Sequence, residues 1–332
     1  MSAWEPFAAA ALAPVALWVL WRLQTTSVEL LRRVLLGMAR FQRWMYLVVS
    51  WFGTFLHEVS HATVLLLSGH GIREFRAGVE SGHVQPARLS RGPVSFLFFL
   101  VAAMAPLFIP PALVLAGVVL FVDRGLVPWA STGPGLDAAL TIGRDFLVEF
   151  PQNLALAFAN LDLARPAHAA VLALALLGIP GSRPSHVKGS RFHGTKDEGD
   201  VAVLRSRIRQ NPLPLLVFLA LVYAAHIALT RWVPEGYWYP FEAVVAVALT
   251  GILLAVLGML WWGLAAVDGR AQPWIGWMSP LLFFAVEVAF RQMPTLESLG
   301  WEPWKINAAA LGAWALSAVV LRLAFPRRAT RS

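Results

Sequence analysis

Residues His57-Glu58-Val59-Ser60-His61 put two imidazoles and a carboxylate within five positions. On a helix with 3.6 residues per turn, His57 and His61 stack on one face, one turn apart. Two imidazoles so placed can share one Zn²⁺, and Glu58 beside them can take a proton from a zinc-bound water. The metal acidifies that water and polarises a carbonyl, and the carboxylate passes the proton to a leaving nitrogen. Two imidazoles alone do not complete a catalytic zinc site, so a third protein ligand is expected. The bland alternative is a buried hydrogen-bond network made by the same three side chains.

The elements that must position these groups are read from apolarity. The pentapeptide lies inside WFGTFLHEVSHATVLLLSG, Trp51 to Gly69, an otherwise apolar run. Of the 332 residues, 58% are hydrophobic and 14% charged, and the mean hydropathy is +0.63. A soluble domain carries about 25% charged residues. Apolar runs recur at 4–21, 44–69, 94–122, 137–161, 163–180, 213–231, 241–266, 274–291 and 307–325. The fold class read from them is an all-α polytopic membrane protein with about six to nine transmembrane helices. Continuous rather than alternating runs argue against a β-barrel. An acidic side chain near a bilayer centre costs about 2.5–3.5 kcal/mol on the insertion scale. Glu58 in such a run therefore implies a cavity, a partner or a metal.

Four regions follow from the pattern. Residues 1–43 hold a first span, retained rather than cleaved as a signal. They continue into a basic amphipathic helix with Arg22, Arg32, Arg33, Arg40 and Arg43, expected on the membrane surface. Residues 44–189 hold the H-E-x-x-H core. Its run at 94–122 carries Pro106, Pro110 and Pro111, as one kinked span or a re-entrant pair. Its run at 137–161 carries Asp137, Arg144, Asp145 and Glu149 and reads as interfacial or cavity-lining. Residues 190–212 belong to the longest polar stretch, 181–212, and residues 213–332 form C-terminal membrane helices. Arg and Lys in 181–212 and in the C-terminal tail favour the cytoplasmic side of a bacterial-type inner or plasma membrane for both. Just after the H-E-x-x-H run, AGVESGHVQP reads as a small β-hairpin turning at Ser81-Gly82.

The net charge of +8 sits mostly between apolar runs, so loop topology explains it and nucleic-acid binding is not expected. Many of the fifteen Trp lie near run ends, as interfacial anchors do. With no cysteine, thiolate nucleophiles and Cys-ligated zinc are excluded.

FGTFLHEVSHATVLLLSGHGI resembles the first core helix of the site-2-protease group, the M50 zinc intramembrane metalloproteases, and most closely the compact M50B-like members. Their pattern is approximately F-P-G-T-x-x-H-E-x-S/G-H-A-x-x-A-x-x-x-G. Phe52, Gly53, Thr54, the H-E-x-x-H, Ala62 and Gly69 match it, and Phe52 stands in place of the proline. The likeness is clear over about 52–120 and diffuse beyond. It implies a Zn²⁺-dependent endopeptidase that cuts membrane-protein or membrane-anchored peptide substrates within the lipid bilayer. His57 and His61 would be ligands and Glu58 the general base. The larger family's N-P-D-G and L-D-G motifs for a third ligand are absent. An S-x-x-D-[IL]-K-G-like piece of the compact members aligns with Ser185-His186-Val187-Lys188-Gly189, which implies His186 as third ligand. Asp162, in AFANLDLARP, is the runner-up, and its ordinary role is an ion pair with Arg165.

Other polar residues weigh less. Asn153 and Asn160 are candidates to orient substrate. Glu242 and Glu287 would matter only in a protease using a downstream Glu as ligand, a pattern the surrounding sequence does not resemble. His70, His83 and His193 read as loop or turn residues, and His168 and His226 as side chains bonded to backbone carbonyls. Two rival functions remain: a membrane scaffold or transporter-like protein with a structural metal site, and another membrane zinc amide or lipid hydrolase.

Overall fold

A computed structural model of the chain describes residues 5–39, 42–79, 82–87, 93–127, 136–182, 208–232, 239–271 and 273–324. In chain order, α1 (Glu5–Ala39) and α2 (Arg43–Leu67) lead into β1 (Ile72–Ala77) and β2 (Gly82–Pro86). Next come α3 (Pro93–Phe121), α4 (Leu136–Arg144), a π-type turn at Asp145–Glu149, α5 (Phe150–Ala159) and α6 (Pro166–Gly178). A 3₁₀ turn at Ile179–Ser182 ends that half. The C-terminal helices are α7 (Leu213–Trp232), α8 (Tyr239–Ala271), α9 (Pro273–Arg291), the short α10 (Pro294–Ser298) and α11 (Pro303–Ala324). The described chain is mostly helical, with one small two-stranded sheet. Among the described residues three helical stretches are long and apolar enough to cross a membrane: Leu97–Phe121, Tyr239–Ala265 and Pro303–Leu321.

The first span and residues 22–39 of the expected basic amphipathic helix run as one helix, α1, and Arg43 begins α2. One face of it is periodic, because Leu20, Gln24, Val28, Leu31 and Leu35 are buried at three- and four-residue spacing. That stripe packs along α8. Glycines make the close fit: a Cβ on Gly251 would collide with the Gln24 amide, and one on Gly258 would come within 3.2 Å of both Leu31 methyls. A hydrophobic stripe says that something covers it, and only the tertiary fold says what.

α3 runs as one helix through Pro106, Pro110 and Pro111, which settles the alternative of a re-entrant pair. Of the charges in 137–161, Asp137 opens α4, and Arg144, Asp145 and Glu149 lie at or beside the π-type turn between α4 and α5, where Arg144 and Glu149 are exposed. The C-terminal helices join the same core. Trp262 Nε1 of α8 donates to Leu176 O of α6 at 3.1 Å. Trp261 meets Phe283 of α9 and Trp314 of α11 edge-on, with ring centroids 5.0 and 4.9 Å apart.

The expected hairpin is present, with its turn shifted. β1 and β2 pair antiparallel in the register Arg76↔His83 and Ala77↔Gly82, so residues 78–81 make the connection and Gly82 belongs to the ladder. After α2 the chain reverses at Gly69, whose φ of 73° is a left-handed conformation that suits glycine. The hairpin thus folds back along α2 toward the middle of that helix.

Candidate metal centre

α2 carries the whole H-E-x-x-H pattern, and α3, α6, the 3₁₀ turn and the hairpin pack around it. His57 and Glu58 are only 4% and 5% exposed. The Nε2 atoms of His57 and His61 face each other at 3.1 Å. Each ring is fixed from behind. His57 Nδ1 lies 2.9 Å from Gly181 O, and His61 Nδ1 lies 2.7 Å from Ala102 O. A carbonyl oxygen only accepts, so in both rings the proton belongs on Nδ1. Both Nε2 atoms then turn lone pairs toward one another. Either a proton on one Nε2 or a metal ion between the two relieves that opposition.

The donor set fits zinc. Ligand nitrogens at 2.0–2.1 Å in tetrahedral geometry lie about 3.3 Å apart, close to the separation seen. Imidazoles whose outer N–H groups donate to carbonyls are the usual support of metal-binding histidines, since this fixes the tautomer and raises ligand basicity.

Glycines bring the backbone close enough to do this. Gly53, one helical turn before His57, abuts the 3₁₀ turn, and a Cβ there would lie 3.1 Å from Pro180 Cβ. A Cβ on Gly181 would strike the Gly53 carbonyl. Two glycines in contact therefore let the turn deliver the Gly181 carbonyl to His57.

The hairpin covers Glu58. A Cβ on Gly82 would stand 2.6 Å from Glu58 Cγ and 2.7 Å from its Oε1, nearer than side chains approach. Phe75 of β1 meets Phe55 of α2 edge-on at 6.2 Å, and Thr54 Oγ1 donates to Val79 O at 3.4 Å. The carboxylate therefore lies under a strand that only a residue without a side chain can form.

No family model, curated protein or solved structure matches this chain. The meaning of the site rests on its own geometry.

Among the described residues no third His, Asp or Glu joins the pair closely enough to complete a three-ligand set. His186 and its neighbours Ser185 to Gly189 lie outside the described residues, as does His193. Asp162 is not brought to the pair. It precedes α6, whose 13 residues put it roughly 20 Å along the helix from Gly181. There its carboxylate meets Arg165 Nε at 3.1 Å and Arg291 Nε at 3.3 Å. Glu287, fully buried, pairs with Arg291 and accepts from Leu163 N at 3.2 Å. His168 donates from Nε2 to Phe121 O at 2.9 Å and accepts from Asp162 N at 2.9 Å, a neutral structural histidine. His83 pairs with Glu74 across the hairpin at 3.0 Å. His70 is buried beside Phe98 and Phe99, with Nδ1 2.8 Å from Ser68 Oγ. Asn153 is exposed on α5, Asn160 closes that helix, and Glu242 is fully buried near the start of α8.

Sequence reasoning missed Gly82, Gly181 and the Ala102 carbonyl. The first two are glycines among 25. A backbone carbonyl carries no mark of its own in a sequence.

Proposed function

We propose that this chain is a zinc-dependent intramembrane endopeptidase of the site-2-protease type, with His57 and His61 as metal ligands and Glu58 as general base. One observation carries the reading: two imidazoles with their outer nitrogens tied to carbonyls turn their inner nitrogens toward one shared point. Bound there, zinc would acidify a water and polarise the scissile carbonyl. Glu58, adjoining the pair on α2, takes the proton of the attacking water and hands it to the leaving amine. Burial of His57 and Glu58 keeps bulk water from competing.

His186 is the proposed third ligand. It follows Ser182 by four residues, a reach of roughly 14 Å, and the 3₁₀ turn before it already touches His57. A membrane setting is supported by the three long apolar helices. It is also supported by large side chains on outer faces, such as Leu216, Leu219 and Leu221 on α7 and Leu316, Val319 and Leu323 on α11. Six to nine spans, in a bacterial-type inner membrane, remain our reading of the apolar runs. A substrate helix must unwind to expose its carbonyls. The segment 77–87 would receive it as an added strand, a reading supported by the nearness of Gly82 to the base.

The test is zinc per chain in detergent-purified protein, with cleavage of a library of single-span transmembrane peptides in liposomes. Wild type should hold one zinc and cleave. Glu58→Gln should hold zinc and cleave at most about 10⁻² as fast, and His186→Ala should lose the metal. Zinc without cleavage of any member points to the scaffold reading, and no zinc in metal-replete wild type sinks the proposal.

A further inference from the structure

Three prolines inside α3 withhold three intrahelical hydrogen bonds. A proline has no N–H to offer the carbonyl four residues earlier, and its ring crowds that carbonyl out of line. The carbonyls so released are those of Ala102 (by Pro106), Pro106 (by Pro110) and Leu107 (by Pro111). Two of them are taken by side chains from other helices. Ala102 O receives His61 Nδ1–H of α2 at 2.7 Å. Leu107 O receives the Gln24 Nε2–H of α1 at 2.6 Å. Five of the six residues in these two sets are buried, Pro106, Pro111, Ala102, Leu107 and Gln24, and His61 is half-buried.

Ala102 and Leu107 stand in the body of a 29-residue helix, far from either end. Carbonyls there are normally committed to the helix's own N–H groups. Their service to other helices traces to the prolines that follow them by four.

We infer that Pro106 is a positioning residue of the metal centre. By withholding an N–H from Ala102 it creates the acceptor that holds His61 as the Nδ1–H tautomer, with Nε2 turned toward His57. The Pro111–Leu107–Gln24 set repeats the device where no metal ligand is involved, so it is a property of how α3 receives its neighbours. The consequence for metal affinity rests on the zinc reading above. The link between proline and tautomer does not.

Two measurements test it on full-length protein in detergent. Zinc affinity is measured by competition with a chromophoric chelator for wild type, Pro106→Ala and Pro110→Ala. Histidine tautomers are read by ¹⁵N NMR on metal-free, histidine-labelled protein. Pro106→Ala returns an N–H to the Ala102 carbonyl, and should weaken zinc binding about 10- to 100-fold and mix the His61 tautomers. Pro110→Ala returns an N–H to the Pro106 carbonyl, which holds neither histidine, and should stay within about threefold of wild type. Equal losses in both variants overturn the inference, since they assign the effect to the bend of the helix. Unchanged affinity and tautomer in Pro106→Ala overturn it too. So does an Nε2–H His61 in the wild type, which needs no variant to fold. Wild type that binds no zinc sinks the metal reading alone, and the tautomer comparison still decides the role of Pro106.

Discussion

Two clusters of ionisable groups among the described residues are resolved in opposite ways. At the corner between α5 and α6, Asp162, Glu287, Arg165 and Arg291 neutralise one another. The backbone there is met as well: Asn307 Nδ2 donates to Ala159 O at 2.6 Å and Leu161 O at 2.9 Å, and Arg291 donates to Leu161 O at 2.6 Å. Positive answers negative. At the H-E-x-x-H helix, like faces like. Two imidazoles meet nitrogen to nitrogen at 3.1 Å while every bond behind them is made. The first cluster cancels its charges within the chain, though Glu287 Oε2 and Asn307 Oδ1 are buried without a hydrogen-bond partner. The second is the arrangement that the proposed zinc would complete. Burial of charge is common to both, so burial alone does not mark function.

Mutation should separate the two. The largest effect belongs to His61→Ala, which should abolish zinc binding and cleavage and, by uncovering the buried Ala102 carbonyl, cost metal-free protein about 1–3 kcal/mol. Metal analysis with thermal unfolding in detergent checks both halves. Retention of one zinc per chain would remove the comparison's premise. Arg291→Ala should do the reverse. It leaves Glu287 and Asp162 without their shared cation and should destabilise the fold by about 3–5 kcal/mol, with zinc still bound at one per folded chain. The double change Arg291→Met with Glu287→Leu should recover most of that loss, since removing both partners of a buried pair is often near neutral.

Gly82→Ala sharpens the distinction within the metal centre. Its methyl would push Glu58 and leave the ligands alone, because the contacts are to the Glu58 side chain and the Arg76 carbonyl. Zinc content should hold, kcat should fall about 10- to 100-fold, and KM should change little. Gly312→Ala, where an added Cβ meets nothing within 4 Å, is the control. The smallest effect expected is Asn307→Ala, which uncovers the Ala159 carbonyl and leaves Leu161 O to Arg291 alone, and should cost about 1–3 kcal/mol with no change in metal affinity.

The chemistry at 57–61 is legible in one dimension because it depends on spacing along a single helix. An i, i+4 pair of histidines shares a face wherever that helix lies. The hairpin is legible for a similar reason, since glycines and alternating residues sit within a few positions of each other. Its turn was misplaced by a few residues because Ser81-Gly82 has turn chemistry, and the strand at Gly82 is imposed by Glu58 from a different element. The apolar stripe of α1 is likewise visible in sequence, but not what covers it: periodicity reports that a face is hidden, and α8 lies more than 200 positions away. Asp162 and His186 show the same limit for ligands. A short motif offers both, and only the path of α6 takes Asp162 to an arginine corner while its other end meets His57.

The sequence by itself determined the apolar helices, the facing imidazoles and the carboxylate beside them, because each depends on neighbours within a turn or two. Tertiary structure alone decided which carbonyls orient the rings, which strand covers Glu58 and which charges cancel. Those contacts join residues 41 positions apart (His61 with Ala102), 124 (His57 with Gly181) and 130 (Leu161 with Arg291). Backbone carbonyls are chemically alike at every position, so folding, not residue type, selects the ones that act.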